Sequence, residues 1–353
     1  ADGRSWRGGA YRESMLLAGL GLFLLLYLVP AVFTLPLNYD ANSYRLSRVG
    51  YWLQEMSLLH FYVIDERQIY MAINTDLVML WLTSFFRHGY PLVQVAQFAG
   101  GVLSVASTYA IARFVGLSRF WGLFGALFLI GIPNIASQFF TAQSDLFTTG
   151  CLMAGVYFLF RALRRPHWTT FALFGAGLGL ALGAKGTVFI WGPGLLLWFL
   201  GQYMLSRPSW WKTVRGMLLA VAVALLLGGY NYAQNLLHFD NPLAPGETLE
   251  TDAFRKEPGL TRNESSAVRS AALLWQIFEP SSNPPLIRPL TDACLAALEA
   301  RINNAVADLE AHFVYRFRKA AVWVRAVTLS EDYTSFGLPV TLLTLLAGFL
   351  ALV

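Results

Sequence analysis

Cysteine is nearly absent, with two in 353 residues. Cys151 falls inside an apolar run and Cys294 in a polar segment, so no disulfide framework is set up and the redox compartment stays open. No His/Cys cluster has zinc spacing, and neither a P-loop nor a G-x-S-x-G turn occurs. These absences exclude the zinc sites, nucleotide cradles and elbow serine nucleophiles that such patterns mark. Charge is scarce too. Asp, Glu, Lys and Arg make up 13% of the chain, where a soluble domain carries about a quarter. The formal net charge is +5, but no basic stretch is organised for nucleic acid. The first apolar run lacks a small-residue cleavage site after it and is too long for a signal peptide, so it predicts an uncleaved first span.

What the chain does have is apolar surface: 56% apolar residues, 15% aromatics and 30 glycines. A span needs ~20 mostly apolar residues. Runs near 14–35, 91–112, 120–136, 146–163, 169–185, 187–205, 214–232 and 337–353 predict about eight spans in a single membrane domain over 1–353. The run at 169–185 (FALFGAGLGLALGAKG in large part) is short and glycine-rich, which predicts a thin or tilted helix. The chain stops inside LPVTLLTLLAGFLALV, from which a truncated chain is expected. Arg4, Arg7 and Arg12, Arg113 and Arg119, Arg161, Arg164 and Arg165, and Arg207, Lys212 and Arg215 fall in short connections on one side; the short opposite loop, 137–145, has no positive residue. That bias predicts a cytoplasmic N-terminus.

Two long connections, 36–90 and 233–336, then lie outside. The first holds an amphipathic stretch, with Leu46, Val49, Leu53 and Met56 at helical spacing and Arg45, Arg48 and Glu55 elsewhere. The piece at 77–86 reads as an interfacial helix. The second connection is broken by EPSSNPPLIRP at 279–289; Leu295, Leu298, Ile302, Leu309, Phe313 and Phe317 then predict a long helix capped by Thr291 or Asp292. The fold class is therefore an all-α polytopic membrane protein with amphipathic helices in large extracytoplasmic loops.

Once oriented, the conspicuous polar residues gather at one membrane face. Asp40 ends the first span, Asp145 begins the fourth and Lys185 closes the fifth. Ionisable residues at such depth tend to be functional. Each also has a plain structural reading. Asp40 would cap the amphipathic helix, Ser144 or Asp145 the fourth span, and Lys185 would snorkel to headgroups. Arg45, Arg48 and Arg67 would bind lipid phosphates non-specifically, and His60 would be packed or solvated. Asn263-Glu264-Ser265 is formally a glycosylation sequon. The residues alone describe an outward membrane site with carboxylates and cations, and no more.

Several segments, in order, resemble the GT-C superfamily of membrane glycosyltransferases, nearest to bacterial glycosyltransferase family 39 proteins related to protein O-mannosyltransferases and aminoarabinose transferases. They are YDANSYRLSRVGYWLQ at 39–54, LLHFYVIDERQIYM at 58–71, TAQSDL at 141–146, GLALGAKGT at 179–187, NLLHFDNPLAPG at 235–246 and EDYTSFG at 331–337. The family often has a tryptophan where Tyr39 stands, a proline-containing acidic stretch where AINTDL with Asp76 stands, and an arginine-asparagine pair where Gln234-Asn235 stands.

The resemblance implies a GT-C-like helix bundle that transfers a sugar from a polyprenyl-phosphate-linked donor outside the cytoplasmic membrane, with inversion at the anomeric carbon. It implies Asp40 as general base, and Lys185 with Arg48 or Arg67 as counter-charges to the leaving lipid phosphate. Asp145 and Glu66 would hold sugar hydroxyls or help bind a divalent metal, a requirement left open; Arg45, His60 and Asn235 complete the implied substrate-binding set. Expected partners are the lipid-linked donor, membrane lipids, and a glycan, lipid or protein acceptor, with no nucleic acid. The alternative is a non-catalytic subunit of this fold that binds lipid or scaffolds a membrane complex. A transporter would need broken helices or inverted halves with polar residues at mid-membrane, which the two halves do not show.

Overall fold

A computed structural model describes residues 4–85, 90–206 and 209–244, together with the isolated positions Pro289, Ala293 and Ala297. The expected long helix after Asp292 and the span at 337–353 lie outside them. The chain divides into two units, the first taking in residues 1–130 and 138–246 and the second 131–137 and 247–353. Among the described residues every regular element is helical, as the apolar runs predict: backbone groups in lipid must be satisfied within the segment. The described part of the second unit is residues 131–137, most of them in the short helix α7 (Pro133–Gln138), and the three isolated positions.

Among the described residues of the first unit, four helices contain segments long and apolar enough to cross a membrane: α1 (Arg4–Phe33), α5 (Val95–Phe114), α8 (Asp145–Arg164) and α11 (Trp210–Gly228). Three runs expected to span give shorter apolar stretches. The helix α6 (Arg119–Ile130) has 12 residues and α9 (Trp168–Leu182) has 15, about 18 and 23 Å at 1.5 Å per residue against a hydrocarbon core of about 30 Å. The third, α10 (Val188–Ser206), carries an apolar portion at Val188–Met204 and an internal Pro193.

Glycine decides how these helices meet. In α9, Gly175 and Gly179 lie against the backbone of Ala220 and Ala224 in α11, while Gly177 faces Gly155 and the Cys151 carbonyl in α8. A Cβ on Gly179 would sit 2.6 Å from the Ala224 carbonyl oxygen, so the backbones touch and α9 is wedged between two spans. Gly100 of α5 and Gly150 of α8 make a second such contact. Small residues let helices approach this closely in lipid. Phe171 and Phe174 fill the gap with Leu159, Ala162 and Ala220.

The connection after α1 folds onto the bundle. Residues Ala41–Arg45 form a π-turn, which runs into α2 (Leu46–Glu55); then come α3 (Arg67–Tyr70) and α4 (Asn74–Phe85). At 12 residues, α4 is too short to span, and α2 packs on it through Leu46, Val49, Trp52 and Met79. The buried face of α2 differs from the expected one. Leu53 and Met56 point outward, Met56 being 87% exposed, while Arg45 and Arg48 lie inside beside Val49 and Trp52. The reason is Asp76, which waits beneath them on α4.

After α11, α12 (Tyr230–Phe239) closes the described fold. Its Asn231 and Asn235 both donate to the Tyr70 carbonyl, at 2.7 and 2.8 Å. Asn74 fastens the other end: its backbone N–H donates to Gly183 O at 2.7 Å, and its amide to the carbonyls of Leu180 and Leu227. These bonds pin the start of α4 to the last turns of α9 and α11.

Candidate functional site

Asp40 and Asp145 each occupy a helix start, where a carboxylate would ordinarily cap. Neither side chain does so. At the π-turn, Asp40 takes the cap position without a capping bond from its side chain, and the Ala41 N–H is taken at 3.2 Å by the Asn38 Oδ1. At α8, Ser144 has the cap position, likewise without a side-chain cap. The Phe147 N–H there donates at 3.0 Å to the Oε1 of Gln97, reaching over from α5. In both places a neutral amide satisfies the orphan donor and the carboxylate is left for other work. The cap readings of Asp40, Ser144 and Asp145 are therefore replaced by Asn38 and Gln97.

The Asp40 side chain is 46% exposed, and its Oδ1 lies 3.5 Å from the Arg67 Nη1. Arg67 is held more firmly on its other side: Nε and Nη2 fork onto Asp65 at 3.0 and 2.8 Å. Those hydrogen bonds hold the Asp65 carboxyl below its ordinary value and raise Arg67 above its own. The Arg67 guanidinium also lies over the Tyr44 ring at 5.1 Å. A fixed cation thus stands beside a carboxylate that faces solvent.

Asp145 forms an ion pair with Lys185, both about one-third exposed. The lysine has two further N–H donors and follows the glycine-rich end of α9, where Gly183 is fastened to Asn74. Its expected snorkelling position is taken up by this pair.

Arg45 and Arg48 are not open to a ligand. Arg48 is 1% exposed and Asp76 0%. The Asp76 Oδ1 accepts from Arg45 Nη1 at 2.9 Å, and its Oδ2 accepts from Arg48 Nη2. Arg45 Nη2 continues to the Ser144 Oγ at 2.7 Å, and Arg48 Nη1 to the Met71 carbonyl at 2.6 Å. Burial pulls Arg48 below its ordinary value, with Asp76 opposing it. Guanidinium groups stay charged in proteins all the same. A second bridge runs alongside, from the Gln143 amide to Asn38 Oδ1 at 2.5 Å.

Asn235 is fully buried and spends its amide on Tyr70, Pro242 and Leu243, and Glu66 sits exposed at the start of α3. His60 is set apart: its ring meets His238 edge-on at 5.2 Å between centroids. Burial, then His238 and Arg48, push its pKa down to about 4, with the Ile69 backbone opposing them. It lines a small pocket shared with Arg48, Trp52, Gln68, Asn231 and Gln234. Among the described residues no group of three or more His, Cys, Asp or Glu is placed to hold a metal ion.

Sequence reasoning passed over Asn38, Gln97, Gln143 and Ser144 as partners. Only the position of Gln143 and Ser144 beside Asp145 offered a signal, since neutral amides and hydroxyls carry none of their own.

Residues 69–228 match the family model described as dolichyl-phosphate-mannose-protein mannosyltransferase, a GT-C family domain. No curated protein and no solved structure matches the chain. The resemblance read from the sequence is borne out for that stretch, which supports a membrane glycosyltransferase of the mannosyltransferase kind. It includes Asp76, Asp145 and Lys185 and begins after Asp40 and Arg67.

Proposed function

We propose that the chain transfers a sugar from a polyprenyl-phosphate-linked donor to an acceptor hydroxyl at the extracytoplasmic face of the membrane. The carrying observation is that Asp40 stands at a helix start, half exposed, with its capping duty done by Asn38. A carboxylate so placed accepts the acceptor's proton as the new C–O bond forms at the anomeric carbon. The bond from that carbon to the phosphate oxygen breaks with its electron pair going to the lipid phosphate, and the configuration inverts in this single displacement. Lys185 and Arg67, both partly exposed, are the cations assigned to meet that phosphate, each turning from a carboxylate already beside it. Preformed cations in a water-poor cleft need little reorganisation for this task. Asp145 and the exposed Glu66 are assigned to sugar hydroxyls or a metal. Arg45, Arg48 and Asn235 act from behind, as framework.

The test is Asp40→Asn in proteoliposomes with dolichyl-phosphate mannose as donor and a Ser/Thr-containing peptide as acceptor. A positioned base contributes ~10²–10⁴-fold, so transfer should fall by at least ~10²-fold with the fold intact. Normal turnover by that variant would remove Asp40 from its role. A second reading, a non-catalytic lipid-binding subunit, draws on the same prior pairing of Lys185 and Arg67 with carboxylates. It predicts donor binding by the unaltered protein without turnover on any acceptor.

A further inference from the structure

Asp76 is buried in the first turn of α4, outside the set of residues assigned to substrate. Its two oxygens are divided between two arginines, and each arginine continues to a different part of the site. Arg45 reaches the Ser144 Oγ, next to Asp145. The same guanidinium lies 5.1 Å from the Tyr44 ring centroid. The Arg67 guanidinium lies at 5.1 Å from that ring as well, and Arg67 in turn meets Asp40. The Asn38–Gln143 bond adds a parallel strut. The segment carrying Asp40 is thus tied at both ends to the residues that lead into Asp145.

Stability gives little reason for this arrangement. Taking three charges out of water is costly, and well-packed apolar residues commonly replace a buried ion triad with no loss of stability. What a triad supplies that apolar residues do not is direction: the rigid guanidinium fork fixes both angle and distance.

We infer that Asp76 is a positioning residue for the transfer reaction, setting the bearing of the Asp40 carboxylate relative to Asp145 through Arg45, Tyr44 and Arg67. The inference rests on the transferase reading above. Asp76 touches neither donor nor acceptor; its effect falls on the geometry of the base, where a misplacement of about 1 Å costs ~10²-fold.

The experiment compares the unaltered protein, Asp40→Asn and the apolar triple variant Arg45→Met/Arg48→Met/Asp76→Leu in proteoliposomes, with dolichyl-phosphate mannose and the same peptide. The triple variant is expected to remain monodisperse and to keep its donor KM within about 3-fold, while kcat falls ~10²-fold. A merely structural triad would leave kcat at the unaltered level, and that result overturns the inference. Should the triple variant fail to fold, Ser144→Ala carries the test, because it removes only the hydroxyl that receives Arg45. It should lower kcat about tenfold with unchanged donor KM and unchanged thermal midpoint; unchanged kcat overturns the inference here too. If the unaltered protein transfers no sugar, or Asp40→Asn transfers normally, the transferase reading itself fails and the role of Asp76 falls with it. An inert Asp40→Asn beside a fully active triple variant refutes the role of Asp76 alone.

Discussion

Replacing Asn74 by Asp changes one amide for a carboxylate of the same shape, at a point where two helices end. The native amide donates to Leu227 O at 2.9 Å and to Leu180 O at 3.3 Å, carbonyls in the last turns of α11 and α9. Asn74→Asp loses both donations, the shorter worth about 1 kcal/mol and the longer about half that. It also sets a negative charge against the negative ends of two helix dipoles, costing about 0.5 kcal/mol for each, while the positive start of α4 returns about 0.5 kcal/mol. The total is about 2 kcal/mol, and at about 2–4 °C per kcal/mol for a fold of this size the thermal midpoint should drop by about 4–8 °C. Intrinsic tryptophan fluorescence in detergent measures it. The effect has a sign in pH. Facing two carbonyl ends, the new carboxyl has a folded-state pKa above its unfolded value of about 3.9. Its folded state therefore holds the proton more tightly, and stability declines as pH rises through that window, then levels off. Asn74→Ala loses the donations without the charge and should show a smaller, pH-independent drop. If Asn74→Asp melted with the unaltered protein at pH 8, or matched Asn74→Ala at every pH, the knot between the two helix ends would be no such thing.

Other perturbations are as direct. Gly179→Val would press a side chain onto the Ala224 backbone, where even a Cβ has 2.6 Å; overpacking of 1–3 kcal/mol or more is expected, visible as a lowered melting midpoint, and a midpoint at the unaltered value would contradict the close seam. His60 has a folded pKa of about 4 against 6.5 unfolded, from burial and from His238 and Arg48. Its contribution to stability is complete above pH 6.5 and is lost as pH falls toward 4. His60→Gln should flatten the melting profile over that interval, and an unchanged profile would assign the acid sensitivity elsewhere. A double-mutant cycle on Asp145 and Lys185, each about one-third exposed, should return a coupling of about 0.5–1 kcal/mol; a value several times larger would show that the pair is far less screened than its exposure indicates.

Spans α1, α5, α8 and α11 were legible because a long apolar run has few other uses. Runs around α6 and α9 were equally apolar but end early. What shortens them is a turn after Ile130 and the tight start of the segment after Leu182, which hydropathy does not register. The position of Asp40 at a helix start was legible; its freedom from capping was not, because Asn38 supplies the cap at close range and nothing local ranks one side chain over the other. The burial of Arg45 and Arg48 is hidden in the sequence for a different reason. Their burial depends on Asp76, 31 and 28 residues away, and charge in an amphipathic pattern reads as solvent-facing unless its counter-ion is known. Asn235 gave the same difficulty: a polar residue near a family-like segment, consumed by backbone carbonyls.

The π-turn at Ala41–Arg45 has a consequence for how the loop tolerates change in length. Its hydrogen bonds skip one residue more than those of an α-helix, as in Leu46 N–H to Ala41 O. The extra residue is taken up within the turn, so deleting one residue between Ala41 and Leu46 would close it into an ordinary helical turn with the segments on either side in nearly the same register. Arg48 would still find Asp76, and Asp40 would keep its bearing. The same deletion one turn later, inside α2, meets no such slack and would rotate what precedes it by about 100°.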